Sequence, residues 1–270
     1  MPELPEVETT RRGIEPYVVG REIKWVAVRE PRLRWPVADS LAQSITGQTF
    51  DAVKRRAKYL LLSTSNGRLM LHLGMSGSLR VLEDSIEPGK HDHVDIGFEG
   101  GLVLRYRDPR RFGSIFWLPD DESHSLLDHL GPEPLSDMFS GEYLYATSRR
   151  RRVAIKTFIM NSRVVVGVGN IYANEALFRS GIHPERLAMR VSRARYIKLV
   201  DGIKSVLAEA IDAGGTTLRD FVQENGSPGY FRSSLDVYGR KDLPCIRCGR
   251  ILKEIRQGGR STVLCSNCQS

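Results

Sequence analysis

The segment CIRCGRILKEIRQGGRSTVLCSNC, residues 245–268, contains all four cysteines of the chain. They form two Cys-x2-Cys pairs separated by 16 residues: Cys245 with Cys248, and Cys265 with Cys268. This spacing is typical of zinc sites in which each of two turns supplies two thiolates. The residues between the pairs predict two strands joined around Gln257-Gly258-Gly259. Since four thiolates leave no open position on the metal, we expect one structural Zn²⁺ without a catalytic role.

Two disulfides, or four unrelated thiols, are the alternatives to a zinc site. The first residues contain no basic stretch followed by an apolar run, so no secretory signal is recognised. We therefore expect a reducing compartment, the cytoplasm, in which disulfides are rare.

The composition indicates a globular protein with a polyanionic partner. The 270 residues favour two domains over one, and no apolar stretch has the length of a membrane span. The chain has 40 Lys and Arg against 32 Asp and Glu, a net charge of +8. Arginines cluster at 11–12, 55–56, 110–111 and 149–152. This clustering favours nucleic acid as the partner over a basic surface that is merely solvated. An anionic membrane would require a basic amphipathic helix, and the sequence predicts none.

The first half of the chain predicts a short helix followed by antiparallel strands. Pro5 suits the first turn of the helix, and Pro16 predicts its end. Five β-rich runs follow: REIKWVAVRE (21–30), TFDAVKRRAKYLLLSTS (49–65), RLMLHLGMSGSLRVL (68–82), HVDIGFEGGLVLRYRD (93–108) and FGSIFWLP (112–119). Glycine-rich turns between them indicate an antiparallel sandwich or barrel rather than a parallel sheet.

The second half predicts helices and loops. The acidic, proline-containing segment 120–137 indicates a helix end and a linker. Beyond it the pattern is helical, most clearly over 192–214, with Ser192 as the cap and Gly214 as the stop. Residues 221–243, rich in Gly, Ser and Asn, predict an exposed loop.

The first residues, MPELPEVETT, place a proline directly after the initiator methionine. Removal of the methionine would expose a secondary amine on Pro2. An α-amino group has a pKa of about 7.7–8.0 against about 10.4 for lysine, so more of it is unprotonated at neutral pH. Such an amine forms an iminium with an aldehyde-level carbon, and Glu3 beside it can move protons. The residues alone leave this open, because many proteins begin Met-Pro without a function there.

Several specific motifs occur in order along the whole chain. They are MPELPEVET (1–9), HLGMSGSLR (72–80), DPRRFG (108–113), VVVGVGNIYANEALFRSGIHP (164–184) and the C-terminal cysteine segment. Together they resemble the bacterial formamidopyrimidine-DNA glycosylase family, which also includes endonuclease VIII. The resemblance implies an α+β multidomain fold. Its parts would be an N-terminal antiparallel β-sandwich with an N-terminal helix (1–134), a helix–two-turn–helix domain (135–224), and a capping loop with a zinc-finger β-hairpin (225–270).

The resemblance also implies a set of catalytic residues. Pro2 matches the proline amine that attacks C1′ of a damaged nucleotide, so that the base leaves and the Schiff base supports β- and δ-elimination. Glu3 matches the acid/base carboxylate, and Glu6 a nearby carboxylate. Lys58 corresponds to a strand-borne lysine that contacts phosphate and assists elimination; without the resemblance it would be a solvated strand lysine. Arg260 corresponds to an arginine on the zinc hairpin that clamps phosphate beside the lesion.

Further residues match DNA contacts of the family. Met75, Arg110 and Phe112 match the trio that fills the gap left by an extruded base. Glycine neighbours indicate exposed turns for the two apolar members, rather than core positions. His91 and Arg111 match other DNA contacts.

The helical half supplies three more predicted DNA contacts. Lys156 matches a phosphate-facing lysine, and Arg151 belongs to the arginine quartet. Asn170 lies where Gly-Val-Gly-Asn enters a helix, and the N–H groups of a helix N-terminus bind anions. Asn161 stands where the family usually has an acidic residue; we expect at most a local effect on helix capping.

The loop ENGSPGYFRSSL (224–235) resembles the lesion-capping loop of the formamidopyrimidine type. With the full void-filling trio, it favours oxidised purines such as 8-oxoguanine and formamidopyrimidines. The alternatives are a family member specific for oxidised pyrimidines and a non-catalytic DNA-binding protein. We expect a monomer that acts on damaged double-stranded DNA and has no membrane partner.

Overall fold

The computed structural model describes residues 2–120, 122–215 and 235–270. The chain forms two units. The first unit contains the residues up to Asp128 and a second segment that begins at Ala213. The second unit contains residues His129 to Asp212 and the described C-terminal residues. The three-domain boundaries given above stay a prediction.

The first unit is built from two four-stranded antiparallel sheets. Its elements are α1 (Leu4–Val18), β1 (Ile23–Val28), α2 (Leu41–Ile45), β2 (Ala52–Arg56), β3 (Tyr59–Thr64), β4 (Gly67–His72), β5 (Ser78–Glu83), β6 (Asp92–Phe98), β7 (Leu102–Arg107) and β8 (Ser114–Pro119). The strand orders are β1-β6-β7-β5 and β2-β3-β4-β8. Each of the five β-rich runs therefore contains a strand or a hairpin, as predicted.

One hydrophobic core joins the two sheets. Strand β3 alternates, so that Leu60 and Leu62 are buried while their neighbours are partly exposed. These leucines belong to the same buried cluster as Ile96 and Leu104 of the other sheet and Ile14 of α1. Two sheets that share one core form a sandwich, and the predicted β-sandwich is confirmed.

Helix α1 extends further than the sequence predicts. Pro16 was expected to end it, but the helix continues to Val18. A proline in the last helical turn removes one N–H donor while its fixed φ still suits a helix. Val18 and Ile14 are fully buried, so apolar burial favours the additional residues over the missing hydrogen bond.

The second unit is mainly helical and ends in a hairpin. Its elements are α3 (Gly141–Ser148), α4 (Ile155–Ile159), α5 (Asn170–Arg179), a 3₁₀ turn (Ala188–Arg190), α6 (Arg193–Asp212), β9 (Lys253–Gln257) and β10 (Arg260–Leu264). The predicted limits of α6 are confirmed. Ser192 Oγ accepts the Arg195 N–H at 3.4 Å, and Gly214 adopts φ +76°. No helix among the described residues is long and apolar enough to cross a membrane.

A buried ion pair links the strands of the first sheet. Asp95 is fully buried and receives two hydrogen bonds from Arg105, at 2.9 and 2.8 Å, and one from Arg29 at 2.6 Å. Burial raises the pKa of Asp95, but the hydrogen bonds from the two arginines outweigh it and hold the pKa below its ordinary value. The carboxylate is therefore ionised in the folded protein.

Replacement of Asp95 by Ala should lower the free energy of unfolding by about 3–5 kcal/mol, because it leaves Arg105 buried without its partner. Urea denaturation measures this loss. The exposed pair between Glu22 and Lys24 is the matched control, and Glu22→Ala should change stability little. Equal effects of the two substitutions would contradict a special role for burial.

Candidate active site, DNA interface and metal centre

The N-terminal residues are held by the first turn of α1. Glu3 is the N-cap, and Glu3 and Glu6 form a reciprocal capping box in which the Glu3 N–H donates to Glu6 Oε2 at 2.8 Å. Both carboxylates are almost completely buried, and Pro2 is buried as well. Gly215 lies against Glu6 where the chain returns to this unit. The structure thus buries Pro2 directly before a capped first turn, with the buried Glu3 as its neighbour in sequence.

Lys58 was expected on a strand. It lies instead in the two-residue turn between β2 and β3. The preceding residue, Ala57, adopts φ +55° in the left-handed region, which non-glycine residues rarely adopt. Arg55 stabilises the turn by donating to the Ala57 carbonyl at 2.9 Å, and it also donates to Glu8 Oε2 at 3.0 Å. The turn that carries Lys58 is therefore tied to α1.

The Glu8 carboxylate accepts hydrogen bonds from three arginines where the turn meets α1. Burial raises the pKa of Glu8, but hydrogen bonds from Arg12, Arg11 and Arg55 outweigh it and hold the pKa below its ordinary value. Neither Glu8 nor Arg55 was predicted from the sequence as a functional residue. The only sequence signal was the spacing of Glu8 from Arg11 and Arg12, which suits helical ion pairs.

A cavity of about 790 Å³ lies beside the predicted void-filling residues. It is lined by Arg32, Leu33, Arg34, His72, Gly74, Met75, Arg110, Arg111 and Phe112. Met75 lies in the β4–β5 turn, and Arg110 and Phe112 lie in the β7–β8 loop. Phe112 is 44% exposed, and the Arg110 guanidinium lies 5.0 Å from the centre of its ring. The structure thus brings the three predicted residues together, with an exposed aromatic side chain.

His72 lines the same cavity and was missed by the sequence analysis, although it begins the HLGMSG motif. Its Nδ1 accepts the Gly74 N–H at 3.0 Å. Burial and the positive charges of Lys58 and Arg34 lower its pKa to about 4. His72 is therefore neutral near pH 7, with its remaining ring N–H on Nε2.

Arg111 lines the cavity, and His91 lies in the loop before β6. The His91 carbonyl accepts the Asp108 N–H at 3.0 Å, so His91 is connected to the β7–β8 loop. Arg111 adopts φ +56° and pairs with Glu30 at 3.1 Å. Arg111 is exposed, so its guanidinium is accessible to a phosphate.

Lys156 is almost completely buried in the second unit. Only 1% of the residue is exposed, and Nζ donates to Asn170 Oδ1 at 2.7 Å, to the Ser261 carbonyl at 3.0 Å and to Thr262 Oγ1 at 2.7 Å. Asn170 also donates to the Ser261 carbonyl at 3.0 Å. An ammonium group has three donors, and these contacts use all three. Lys156 therefore fixes Asn170 against β10. Its predicted phosphate contact stays a prediction.

Arg260 is exposed at the start of β10. A hollow of about 360 Å³ lies beside it, and Lys156 and Asn161 belong to its lining. Asn161 Oδ1 accepts the Arg163 N–H at 2.9 Å, so the amide caps the local backbone. Arg151 is exposed in the loop between α3 and α4, which leaves it accessible to DNA.

The four cysteine sulfurs converge at the C-terminus. All lie within 4.8 Å of one another, with 3.9 Å between the sulfurs of Cys245 and Cys268 and 3.5 Å between those of Cys248 and Cys265. A tetrahedron with Zn–S bonds of about 2.3 Å has sulfurs about 3.8 Å apart, whereas a disulfide needs about 2.05 Å. The four thiolates therefore suit one structural zinc ion, and the alternative of two disulfides is wrong.

Three family models match successive parts of the chain. They describe the formamidopyrimidine-DNA glycosylase N-terminal domain (residues 1–115), the formamidopyrimidine-DNA glycosylase H2TH domain (130–222) and a zinc finger found in FPG and IleRS (242–270). Formamidopyrimidine-DNA glycosylases of Alcanivorax borkumensis and Syntrophotalea carbinolica are 57% and 56% identical, each over the full length of both chains.

The chain belongs to the formamidopyrimidine-DNA glycosylase family. Solved structures of the family are also similar to it. The MutM (Fpg) protein of Thermus thermophilus has 38% identity and a TM-score of 0.89, and the match covers 99% of this chain and 98% of that protein. Lactococcus lactis Fpg in complex with abasic-site DNA has 33% identity and a TM-score of 0.92, with 99% of both chains covered.

Membership confirms the family resemblance, the fold class and the zinc finger. The roles of the individual site residues stay predictions. The predicted lesion-capping loop, ENGSPGYFRSSL, lies outside the described residues except for Leu235.

The partly buried His72 should make this glycosylase less stable in mild acid. Its folded pKa of about 4 lies below the ordinary value of 6.5, so the unfolded chain binds a proton more readily between these values. The contribution of His72 to stability is complete above about pH 6.5 and is lost as the pH falls towards about 4. Between about pH 7.5 and pH 5 the loss should be about 2 kcal/mol.

Denaturation of the wild type and of His72→Asn at several pH values tests this expectation. Asparagine keeps an acceptor for the Gly74 N–H but does not titrate. The stability of the variant should therefore depend less steeply on pH. Parallel pH profiles of the two proteins would contradict the neutral state of His72 near pH 7.

Elemental analysis should find one zinc ion per chain. Cys268→Ser should release it and weaken DNA binding, because loss of a ligand unfolds small zinc modules and with them the hairpin that carries Arg260. Ser266→Ala, between the last two ligands, is the matched control and should keep both zinc and DNA affinity. Full zinc content and DNA affinity in Cys268→Ser would show that Cys268 is not a ligand.

Proposed function

We propose that this protein, a DNA glycosylase of base excision repair, removes oxidised purines and also cuts the strand as an AP lyase. The observation that carries the proposal is the fixed position of Pro2 and Glu3 at the buried start of α1, in a chain that matches its relatives over their full length. Chain termini usually fray. A terminus held in this way suits a reactive amine.

The amine of Pro2, exposed by removal of the methionine, would attack C1′ of the damaged nucleotide. The bond between C1′ and the base breaks, its electron pair leaves with the base, and the base takes up a proton. Opening of the sugar ring and loss of the amine proton give an iminium. Glu3 is the proposed proton carrier, and Glu6 holds the Glu3 backbone in place.

The iminium withdraws electrons and makes the C2′ proton acidic. Loss of that proton expels the 3′ phosphate by β-elimination, and a second elimination expels the 5′ phosphate. Lys58 is proposed to contact phosphate and assist these steps, and Arg260 to clamp a phosphate beside the lesion. The proposed further DNA contacts are His91, Arg111, Arg151, Lys156 and Asn170. Lys156 also supports Asn170 through a hydrogen bond.

The preference for oxidised purines rests on the void-filling trio. Met75, Arg110 and Phe112 line one cavity, and Phe112 is exposed. An exposed aromatic ring can stack where a base has been removed. A Lactococcus lactis Fpg variant has been solved with DNA that contains Fapy-dG, an oxidised purine; it is 34% identical with a TM-score of 0.93.

The proposal extends to the organisation of the protein. We assign residues 1–134 to catalysis, 135–224 to the helix–two-turn–helix domain and 225–270 to the capping loop and zinc finger. The protein would act as a monomer on damaged double-stranded DNA in the bacterial cytoplasm, as expected from the bacterial sources of its relatives.

Nicking of a labelled duplex with a single 8-oxoguanine tests the substrate class. The wild type should cut this duplex faster than matched duplexes with an oxidised pyrimidine or with normal guanine. Faster cutting of the pyrimidine duplex would indicate the pyrimidine-specific alternative. Binding without any cutting would indicate a DNA-binding protein without catalysis.

Pro2→Gly should severely reduce both strand cutting and the covalent adduct that borohydride traps on damaged DNA, because glycine offers a primary amine without the pyrrolidine ring. Pro16→Ala is the matched control: this exposed proline lies on the same helix and should leave trapping unchanged. An uncleaved N-terminal extension should also abolish trapping, since it converts the amine to an amide. Full activity of the extended protein would contradict the proposed nucleophile.

A further inference from the structure

Two loops of the first unit carry the proposed void-filling residues. The β4–β5 turn carries Met75, and the β7–β8 loop carries Arg110 and Phe112. The side chains of these three residues reach the cavity or the surface, so their own contacts do not explain how the loops are held. Buried residues next to them in the two loops hold the loops in place.

A single buried carboxylate connects the two loops. Asp108 is fully buried. Its Oδ1 accepts the Ser76 hydroxyl of the β4–β5 turn at 2.6 Å and the Arg110 N–H at 3.3 Å. Its Oδ2 accepts the Gly113 N–H at 2.9 Å and the Tyr106 hydroxyl at 3.2 Å. Asp108 thus binds the loop on both sides of Phe112 and the turn next to Met75.

Ser76 closes the connection. Its hydroxyl donates to Asp108 and also accepts the Arg110 N–H at 3.2 Å. Ser76 is only 4% exposed. A buried hydrogen bond to a charged acceptor is among the stronger polar contacts in proteins.

The backbones of the two loops also touch. A Cβ on Gly74 would collide with the backbone of Phe112 and Gly113, and a Cβ on Gly113 would collide with the Tyr106 hydroxyl. Gly74 also adopts φ +63°. Both glycines allow an approach that no other residue permits, so packing and hydrogen bonding independently join the loops.

The donors around Asp108 are all neutral. Burial, with the negative charge and hydrogen bond of Asp108, raises the pKa of Tyr106 well above its ordinary value, so its hydroxyl stays a donor. Four neutral donors replace the water that the carboxylate loses. The arrangement is a costly way to fill a core, because an apolar residue would need no partners.

We propose that Asp108, through Ser76, is a positioning residue that joins the Met75 turn and the Arg110–Phe112 loop into one rigid wedge for base extrusion. The inference rests on the proposed function. A wedge stabilises the extruded state only if its parts are already ordered, since ordering them on binding costs conformational entropy. Loosening the link should therefore slow excision without weakening the phosphate contacts that hold undamaged DNA.

Ser76→Ala removes the link between the loops and keeps Asp108. Ser114→Ala is the matched control: Ser114 is also buried, it adjoins the same loop, and its hydroxyl has no hydrogen-bond partner among the described residues. Single-turnover excision of 8-oxoguanine by Ser76→Ala should be about five- to thirtyfold slower, as for the loss of one buried hydrogen bond to a charge. Excision by Ser114→Ala should match the wild type.

Affinity for an undamaged duplex separates positioning from unfolding. Phosphate contacts dominate this affinity, so it should change less than about twofold in Ser76→Ala. Asp108→Asn places an amide N–H₂ among donors and should slow excision further. Thermal unfolding of Asp108→Asn shows whether this variant folds. If it does not, the test rests on Ser76→Ala.

A double-mutant cycle with Phe112→Ala tests whether Ser76 acts through the wedge. Phe112→Ala alone should slow excision by about five- to 150-fold, the effect of losing one stacking partner. If Ser76 acts by positioning the wedge, adding Ser76→Ala to Phe112→Ala should slow excision little further. Multiplicative effects, or equal losses of excision and undamaged-DNA affinity, would overturn the inference. Absence of excision by the wild type would instead overturn the proposed function.

Discussion

The reciprocal hydrogen bonds between Glu3 and Glu6 hold the first turn of a helix at the start of the chain, where most proteins are poorly ordered. The apolar side of α1 is buried in the core of the sandwich, so the position of Pro2 follows from the packing of the first unit. The Glu8–Arg55 pair extends this control to the turn that carries Lys58. The proposed nucleophile, Pro2, and Lys58 are thereby both positioned through one helix.

Burial divides the charged residues of the protein into two groups. Buried charges such as Asp95, Asp108 and Lys156 have polar partners and hold backbone segments in place. Exposed arginines such as Arg110 and Arg260 remain accessible to a polyanion. The net charge of +8 indicates only that the protein attracts a polyanion. The buried charges hold the backbone segments that position the exposed arginines.

The features that depend on neighbours in sequence were predictable. The zinc ligands, the strands and the limits of α6 follow from spacing and periodicity. Features that depend on distant partners were not. The burial of Lys156 arises from acceptors more than 100 residues away, and the motif that contains Asp108 does not reveal that its carboxylate joins two loops. Pro16 inside α1 shows that apolar burial overrides a local rule.

The proposed mechanism depends on the α-nitrogen of Pro2 as the nucleophile. Mass spectrometry of peptides from the borohydride-trapped adduct with 8-oxoguanine DNA tests it most directly. We expect the sugar remnant to be attached to the peptide that begins with Pro2, through its α-nitrogen. Attachment to a lysine, such as Lys58, with an unmodified N-terminal peptide would contradict it.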